Sequence, residues 1–388
     1  MKLKKLLIVI PACLFCLGVV VGPALTAETF KVGAVFSVTG RASFLGDPEK
    51  KTAELIADEI NKKGGINGKK LELIVYDDEG DATKTNLAVK KLMTQDKVCV
   101  VIGPSLSGNS LAVVPLAEQF QTPLISAAAS YKIVTDDAGK QRKWVFKVPQ
   151  SDSMAVEAIY NHMQKKGIKK IAIISATDGF GKSGQGELVR LAPQYGIEIV
   201  ANESYGPQDT DMTAQLTKIK GLAPEAIVNW SIGPPQVTVL RNYRDLGMTS
   251  IVFYQSHGFG SRKNIELAAG AAEGVYTPLG AVVTPEALPA DHPQKKVTME
   301  YTNQYTSTYN EPVSTFGGHA WDSLGLAVDA LKAVGCDRAK IRDYLENKKG
   351  FVGQHGVFNF SPDDHNGLVW QDAFNMIVVK GGDWAMAD

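Results

Sequence analysis

Two short runs carry the residues best suited to holding a small anion. Residues 98–110 read V-C-V-V-I-G-P-S-L-S-G-N-S, and residues 122–130 read T-P-L-I-S-A-A-A-S. Each is an apolar segment closed by small polar residues: Ser105, Ser107, Asn109 and Ser110 after the first, Ser126 and Ser130 after the second. Val98 to Ile102 is continuous and mostly β-branched, as a strand buried on both faces should be. Leu124 to Ser126 repeats the pattern more briefly, and Leu111 to Phe120 between them is helical in character. In an open parallel sheet, ligands sit beyond the carboxyl ends of the strands. A helix that starts there adds partial positive charge. The chemistry implied is recognition of a small carboxylate by hydroxyls and backbone N–H groups. The same residues also serve as caps and turn formers, so spacing alone leaves both readings open.

A second constellation is Asp178-Gly179-Phe180-Gly181-Lys182-Ser183-Gly184, a literal G-x-G-x-x-G after a strand and before a helix. Glu203 follows about 20 residues on, as a dinucleotide fingerprint asks. An exported NAD-dependent enzyme using Gly179, Gly181 and Gly184 is therefore the rival of another class. Against it, the motif lies in the second half of the chain, and free NAD is scarce outside the cytoplasm. The plainer reading is a Gly-rich helix start whose Phe180 faces a cleft. Gly103 to Ser110 has the outline of a phosphate loop, but Asn109 stands where the lysine would be. Asp77 to Asp81 lacks a calcium-loop pattern, and Asp363-Asp364-His365 reads as a turn rather than a metal site. No G-x-S-x-G or H-E-x-x-H is present. These signals favour binding without catalysis, with no cofactor and no metal.

The elements that must position these residues alternate. Thr29 to Phe36 reads as a strand, Asp47 to Lys62 as an amphipathic helix stopped by Gly64-Gly65, Leu71 to Tyr76 as a strand and Thr83 to Gln95 as a helix. Trp144 to Val148 then leads into Pro149, a predicted hinge, and the alternation restarts. Helices are predicted at 154–165, 182–195, 212–220 and 236–246, with strands at 168–176, 197–202, 226–230 and 251–255. Three further helices follow at 293–309, 317–334 and 337–348. Phe351 to Phe360 and Ala373 to Val379 read as a closing strand pair. The order of elements nearly duplicates, which predicts an α/β protein of two similar lobes with a cleft between them. At 388 residues the chain exceeds one ordinary core. Lys+Arg and Asp+Glu are both 41, so nothing recommends a nucleic-acid partner.

Residues 1–27 read as a secretory signal peptide: a basic start, an apolar Leu6 to Val21, and a cleavage region ending at Ala27. An uncleaved anchor is the alternative, weakened by Pro11, Gly18 and Pro23. The mature chain is then soluble and exported. It keeps only Cys99, inside a strand, and Cys336, at a helix end. The expectation is two free structural thiols rather than a bridge, with pairing left open.

Several stretches resemble the periplasmic branched-chain amino-acid (leucine/isoleucine/valine) binding proteins of ABC transporters. They are K-V-G-A-V-F-S-V-T-G (31–40), I-N-K-K-G-G-I-N-G-K-K-L-E-L-I-V-Y-D-D (60–78), V-I-G-P-S-L-S (101–107), P-L-I-S-A-A-A-S (123–130) and E-P-V-S-T-F-G-G-H-A-W-D (311–322). The resemblance implies the type I periplasmic binding fold, with two Rossmann-like lobes and parallel central sheets joined by three hinge crossovers. It implies periplasmic capture of one ligand and delivery to a membrane permease. The lobes are expected at 28–148 with 280–350, and at 149–279 with 351–388. Carried across by motif, Ser107, Ala128 and Ser130 would hold the ligand's carboxylate and part of its ammonium. Phe180 stands where the family has an aromatic from the second lobe, and Phe44 and Leu45 lie in the first loop lining the side-chain pocket. Gly80 and Leu106 occupy the two positions that form the bridge in the leucine/isoleucine/valine-binding relative.

One departure matters. In amino-acid binders an acid follows the strand that ends here at Gln255; this chain reads Gln255-Ser256-His257-Gly258. A buried ammonium without an anion is costly. Either another acid serves, such as Asp178, or the ligand has no amine. Trp230, Phe180, Phe44 and His257 would suit an aromatic or aliphatic carboxylate. His257 is equally well a capping residue. The expectation is a hydrophobic amino acid as ligand, with an amine-free carboxylate as the alternative.

Overall fold

The computed structural model describes residues 29–387; the leader expected over 1–27 lies outside them. Two α/β layers carry the chain. The first sheet contains β1 (Phe30–Phe36), β2 (Leu71–Asp77), β3 (Val100–Ile102), β4 (Leu124–Ser126) and β5 (Val145–Lys147), all parallel, in the order β2-β1-β3-β4-β5. Its helices are α1 (Ser43–Lys62), α2 (Ala82–Thr94) and α3 (Ser107–Phe120). β3 and β4 are buried along their whole length, which is why they read as unbroken apolar runs.

The second half repeats the plan. β6 (Lys170–Ala176), β7 (Glu198–Tyr205), β8 (Ala226–Trp230), β9 (Val252–Gln255) and β10 (Tyr276–Leu279) are interleaved with α4 (Asp152–Lys165), α5 (Gly179–Leu191), α6 (Thr213–Gly221), α7 (Pro234–Asp245) and α8 (Arg262–Ala268). The chain then places α9 (Lys295–Tyr309), α10 (Thr315–Val334) and α11 (Arg338–Glu346) back on the first layer. Ala320, Leu324, Ala327 and Leu331 of α10 share one core with Val32, Val100 and Ile102. α1 and α10 make the main helix pair over that core.

The expected closing strand pair is corrected. β11 (Phe351–Val352) pairs with β12 (Val357–Phe358) in a small separate ladder. After a short α12 (Trp370–Ala373), β13 (Asn375–Lys380) pairs antiparallel with β10 and with β14 (Asp383–Met386). The second sheet thus runs β14-β13-β10-β9-β8-β6-β7. Phe358, Phe360 and Leu368, in the segment expected to join the second lobe, pack into the core of the first sheet.

Where the chain passes between layers, its strands of connection lie together. Lys147 Nζ donates to Pro149 O at 2.5 Å, Ser151 Oγ at 3.1 Å and Asn366 Oδ1 at 3.2 Å. Asn366 Nδ2 donates to the carbonyls of Lys147 and Pro149 at 3.2 and 3.0 Å. Gln150 Nε2 donates to Ala373 O at 2.8 Å. Burial pushes the Lys147 ammonium down and the neighbouring Asp152 carboxyl up, with their mutual attraction opposing both shifts.

The cysteine expectation is also corrected: Cys99 and Cys336 form a disulfide, with Cα atoms 5.1 Å apart. Cys99 immediately precedes β3, and Cys336 lies between α10 and α11. Packing of α10 over β3 brings together two residues 237 positions apart. Gly80 and Leu106 do adjoin, since a Cβ on Gly80 would lie 3.5 Å from Leu106 Cδ1, but the covalent link lies elsewhere.

Candidate functional site

Both sheets reverse strand order at one point, and the two points oppose each other. In the first sheet the switch falls between β1 and β3; in the second, between β6 and β8. Carboxyl ends of strands at such a switch leave a crevice. Residues following β3, β4, β8 and β9, together with the starts of α1, α5 and α10, line one cavity of about 30 Å³. Its walls include Leu45, Ser105, Ser107, Ala128, Phe180, Ile232, His257, Thr315, Phe316 and His319. This volume holds about one or two water molecules, so a larger ligand requires the walls to part.

The hydroxyl side of the cavity is built by the turn after β3. Gly103 has φ +87°, and a Cβ there would overlap Val35 O, so the sharp exit from the strand requires glycine. Ser105 Oγ accepts from Ser37 N at 3.0 Å and donates to the Glu49 carboxyl behind it. Ser107 opens α3, and its Oγ accepts from Ser130 N at 3.3 Å, which leaves its proton free to donate. Ala128 lines the cavity, but its N–H donates to Ser126 Oγ at 3.1 Å. Its wall contribution is therefore the methyl group and carbonyl.

Several sequence-predicted residues fall together and others do not. Ser107, Ala128, Phe180, His257 and Leu45 surround the cavity. Ser130 is not among its walls; its hydroxyl pairs at 2.7 Å with Ser183 of α5, across the cleft. Trp230 stands behind the wall, with ring centroids 5.9 Å from Phe180 and 5.6 Å from His257. Phe44 lies edge-on to Phe316 at 5.8 Å and borders two outer clefts of about 230 and 390 Å³. Ser105, one of the small polar residues after the first strand, is a wall residue too, whereas Ile232, Thr315, Phe316 and His319 line the cavity without having been singled out from sequence. The S-T-F-G-G-H run held the available signal: Ser314 Oγ accepts from Gly317 N at 3.4 Å and starts α10 at the cleft.

No Asp or Glu lines the cavity. Asp178 instead caps α5, accepting from Gly181 N at 2.9 Å. Glu49 is fully buried, and burial holds its carboxyl well above the usual carboxylate range, with Ser105 opposing and Asp78 adding to the rise. His257 carries no hydrogen-bond partner on either ring nitrogen. Burial, with Lys147 and His355 adding, pushes it down to about 3, so it is neutral at pH 7. His319 is likewise pushed down by burial and by the other two histidines, and its Nδ1 has no partner. His319 rests against His355 at a ring separation of 4.4 Å. His355 Nδ1 lies 2.8 Å from Asp322 Oδ2, and its Nε2 lies 3.0 Å from the Thr315 hydroxyl.

The glycines of the G-x-G-x-x-G run have packing reasons. A Cβ on Gly181 would overlap Ala176 O, one on Gly184 would overlap the Trp230 indole, and one on Gly179 would come 2.7 Å from Gly108 N in the opposite layer. The start of α5 abuts the start of α3, where a pyrophosphate would have to sit. Asp363-Asp364-His365 forms a turn in which Asp364 Oδ1 accepts from Asn366 N and Gly367 N at 2.9 and 3.0 Å. Among the described residues no His/Cys/Asp/Glu group is arranged to hold a metal ion.

Comparison with known proteins agrees with this architecture. The sequence model of a family described as "Periplasmic binding protein" matches residues 29–383. A leucine-, isoleucine-, valine-, threonine- and alanine-binding protein of Pseudomonas aeruginosa is 23% identical over 324 residues, covering 83% of each chain. An extracellular ligand-binding receptor from Rhodopseudomonas palustris HaA2 superposes with a TM-score of 0.85 at 31% identity, covering 93% of this chain and all (100%) of that one. The branched-chain amino acid transporter substrate binding protein LivJ of Streptococcus pneumoniae, solved with isoleucine, gives a TM-score of 0.80 at 28% identity, covering 93% and 99%.

Proposed function

Because this chain belongs to the periplasmic binding protein family, we propose that it is the extracytoplasmic solute-binding component of an ABC importer. It is exported by a leader cleaved near Ala27, traps a small carboxylate between two closing lobes and hands it to a membrane permease, without catalysis of its own. The lobes are residues 29–148 with 280 to about 373, and 149–279 with the rest of the C-terminal segment. Packing of Phe358, Phe360 and Leu368 on the first core supports placing the third crossover near Ala373 rather than at 351.

The observation that carries the reading is the cavity between opposed switch points, with serine hydroxyls on one wall and, among the described residues, no Asp or Glu on any. Ser107, whose hydroxyl proton is unspent, serves the carboxylate, with Ser105 held beside it by Glu49. Leu45, Phe180, Ile232 and Phe316 surround the ligand's body. An α-ammonium would enter without an acid on the cavity wall, and burial pushes the carboxyl of Glu49, behind Ser105, well above the usual carboxylate range. The better ligand is therefore an amine-free carboxylate. The hydrophobic amino acid remains the second reading, supported by the names of the Pseudomonas and Streptococcus relatives.

Isothermal titration and thermal shift with leucine, isoleucine, benzoate and NAD test this directly. A bound ligand raises the melting temperature by mass action. Benzoate is expected to do so, and Ser107→Ala to weaken it by about tenfold, from loss of a hydrogen bond to a charged group. Binding of leucine but not benzoate would restore the amino-acid reading. Stabilisation by NAD alone would reject solute capture.

A further inference from the structure

The cavity's serine wall accounts for one end of a ligand; its imidazole wall has no counterpart in that account. His257 is buried at the end of β9, walled by Phe180 at 5.3 Å, Trp230 at 5.6 Å and Phe374 at 5.6 Å between ring centroids. Phe180 and Phe374 offer its ring nitrogens nothing, the Trp230 indole N–H is not bonded to them, and neither nitrogen has a partner. His319, one turn into α10, adds a third partnerless nitrogen, Nδ1, on the same cavity. Buried polar groups are nearly always satisfied, and each one left bare costs about 1–3 kcal/mol. Three on one small cavity mark a place where a bound molecule completes the hydrogen bonding.

We infer that His257 and His319 read a hydroxyl group on the ligand, so that the captured solute is a ring-hydroxylated aromatic carboxylate. This rests on the carboxylate reading above and specifies its ligand. A neutral imidazole offers one N–H and one lone pair. The complementary group must both donate and accept. A hydroxyl does both; an ammonium only donates, and a ketone or second carboxylate only accepts. A second carboxylate would leave the imidazole lone pairs without a donor and would bring an unpaired charge among apolar rings. Phe180 and Phe316 line the same cavity, 5.3 and 5.9 Å from His257 and His319 between ring centroids, and suit an aromatic body.

A further contact orients this wall. His355 faces Asp322 through Nδ1, which places the ring proton there and leaves Nε2 to accept from the Thr315 hydroxyl. Asp322 is itself fixed by the N–H groups of Gln354 and His355 at 2.6 and 3.1 Å. His319 lies against this braced ring, tilted by 41° at 4.4 Å, which limits its orientation. A site built to hydrogen-bond a hydroxyl rejects analogues lacking it far more strongly than an apolar pocket rejects an added methyl.

The test is a ligand series on the wild-type chain by isothermal titration: benzoate, 4-methylbenzoate, 3-hydroxybenzoate, 4-hydroxybenzoate and leucine. At least one hydroxybenzoate is expected to bind about tenfold or more tighter than both benzoate and 4-methylbenzoate. In His319→Phe and His257→Phe the hydroxybenzoate-to-benzoate ratio is expected to fall towards one, and His319→Gln to recover part of it. Carboxylates that bind without preferring a hydroxyl overturn this inference and leave the carboxylate reading standing. A preference that survives both Phe variants also overturns it. If none of the benzoates binds, the carboxylate reading falls and takes this inference with it. Should the variants fail to fold, the wild-type series decides alone.

Discussion

Ser130 and Ser183 join hydroxyls at 2.7 Å across the cleft, one from the turn after β4 and the other from the second turn of α5. Ser130 was expected to hold the ligand; it holds the opposite layer instead. Removing one hydroxyl weakens the closed arrangement by the net value of a hydrogen bond, about 0.5–1.5 kcal/mol. Ser183→Ala is expected to shift the population towards open forms, with a larger radius of gyration in solution scattering and about 2- to 10-fold weaker ligand binding. Unchanged scattering and affinity would mean that this contact does not contribute to closure.

The Cys99–Cys336 bond closes a loop of 237 residues and pins the α10–α11 junction to the strand β3 that leads to the site. Arg338 reinforces the same place, with Nε donating to Val98 O at 3.0 Å and Nη2 to Met93 O at 2.9 Å. Loss of such a bridge typically costs about 2–4 kcal/mol. Cys336→Ser is expected to lower the urea midpoint accordingly. Added reductant should bring wild type down to the variant and leave the variant unmoved. A reductant-insensitive wild type would place the two sulfurs unbonded.

Much of the fold was legible because its strands are buried on both faces. Val98 to Ile102 is apolar throughout and Ala226 to Trp230 is apolar apart from Asn229, with Gly or Pro close to their ends, so alternation of strand and helix could be followed without long-range information. The disulfide could not be followed: nothing near Cys99 or Cys336 records that α10 crosses β3. The C-terminal segment failed for a related reason. Phe351–Val352 and Val357–Phe358 look like ends of longer strands, yet each pairs over two residues only, and β13 finds β10 far back in the chain. Of the site, Ser107, Phe180 and His257 sit at strand ends or helix starts, where sequence pattern is informative. His319 is a lone histidine inside an apolar helix, and only the approach of the α10 start to the cleft gives it a role.

Gly184 separates two accounts of the G-x-G-x-x-G run. Its missing Cβ makes room for the Trp230 indole, the ring that backs Phe180 and His257. Gly184→Ala is expected to destabilise by about 1–3 kcal/mol through overpacking and to alter tryptophan emission. Gly186→Ala, on the same helix, has nothing within 4 Å of the new methyl and is expected to be neutral or stabilising by up to about 1 kcal/mol. Equal effects at the two positions would show that helix propensity, not the indole, governs this run.

Glu49 gives the stability a pH dependence with a fixed sign. Burial is the main cause of its raised carboxyl; the Ser105 hydroxyl pulls the other way, and Asp78 pushes it further up from the ordinary value of 4.5. Between 4.5 and the folded value, the native state keeps a proton that the unfolded chain has released. Stability therefore falls as pH rises through that window, by at most about 1.4 kcal/mol per pH unit from this group. Glutamine keeps an oxygen for Ser105 to donate to and carries no charge to desolvate. Glu49→Gln is expected to lose less stability than wild type in urea titrations as pH rises above the ordinary carboxyl value of 4.5. Glu49→Ala, which leaves a cavity and strips Ser105 of its acceptor, should cost about 1–3 kcal/mol. Parallel stability curves for wild type and Glu49→Gln would show that the carboxyl ionises alike in both states, and the buried acid behind Ser105 would then be charged and available to a cationic ligand.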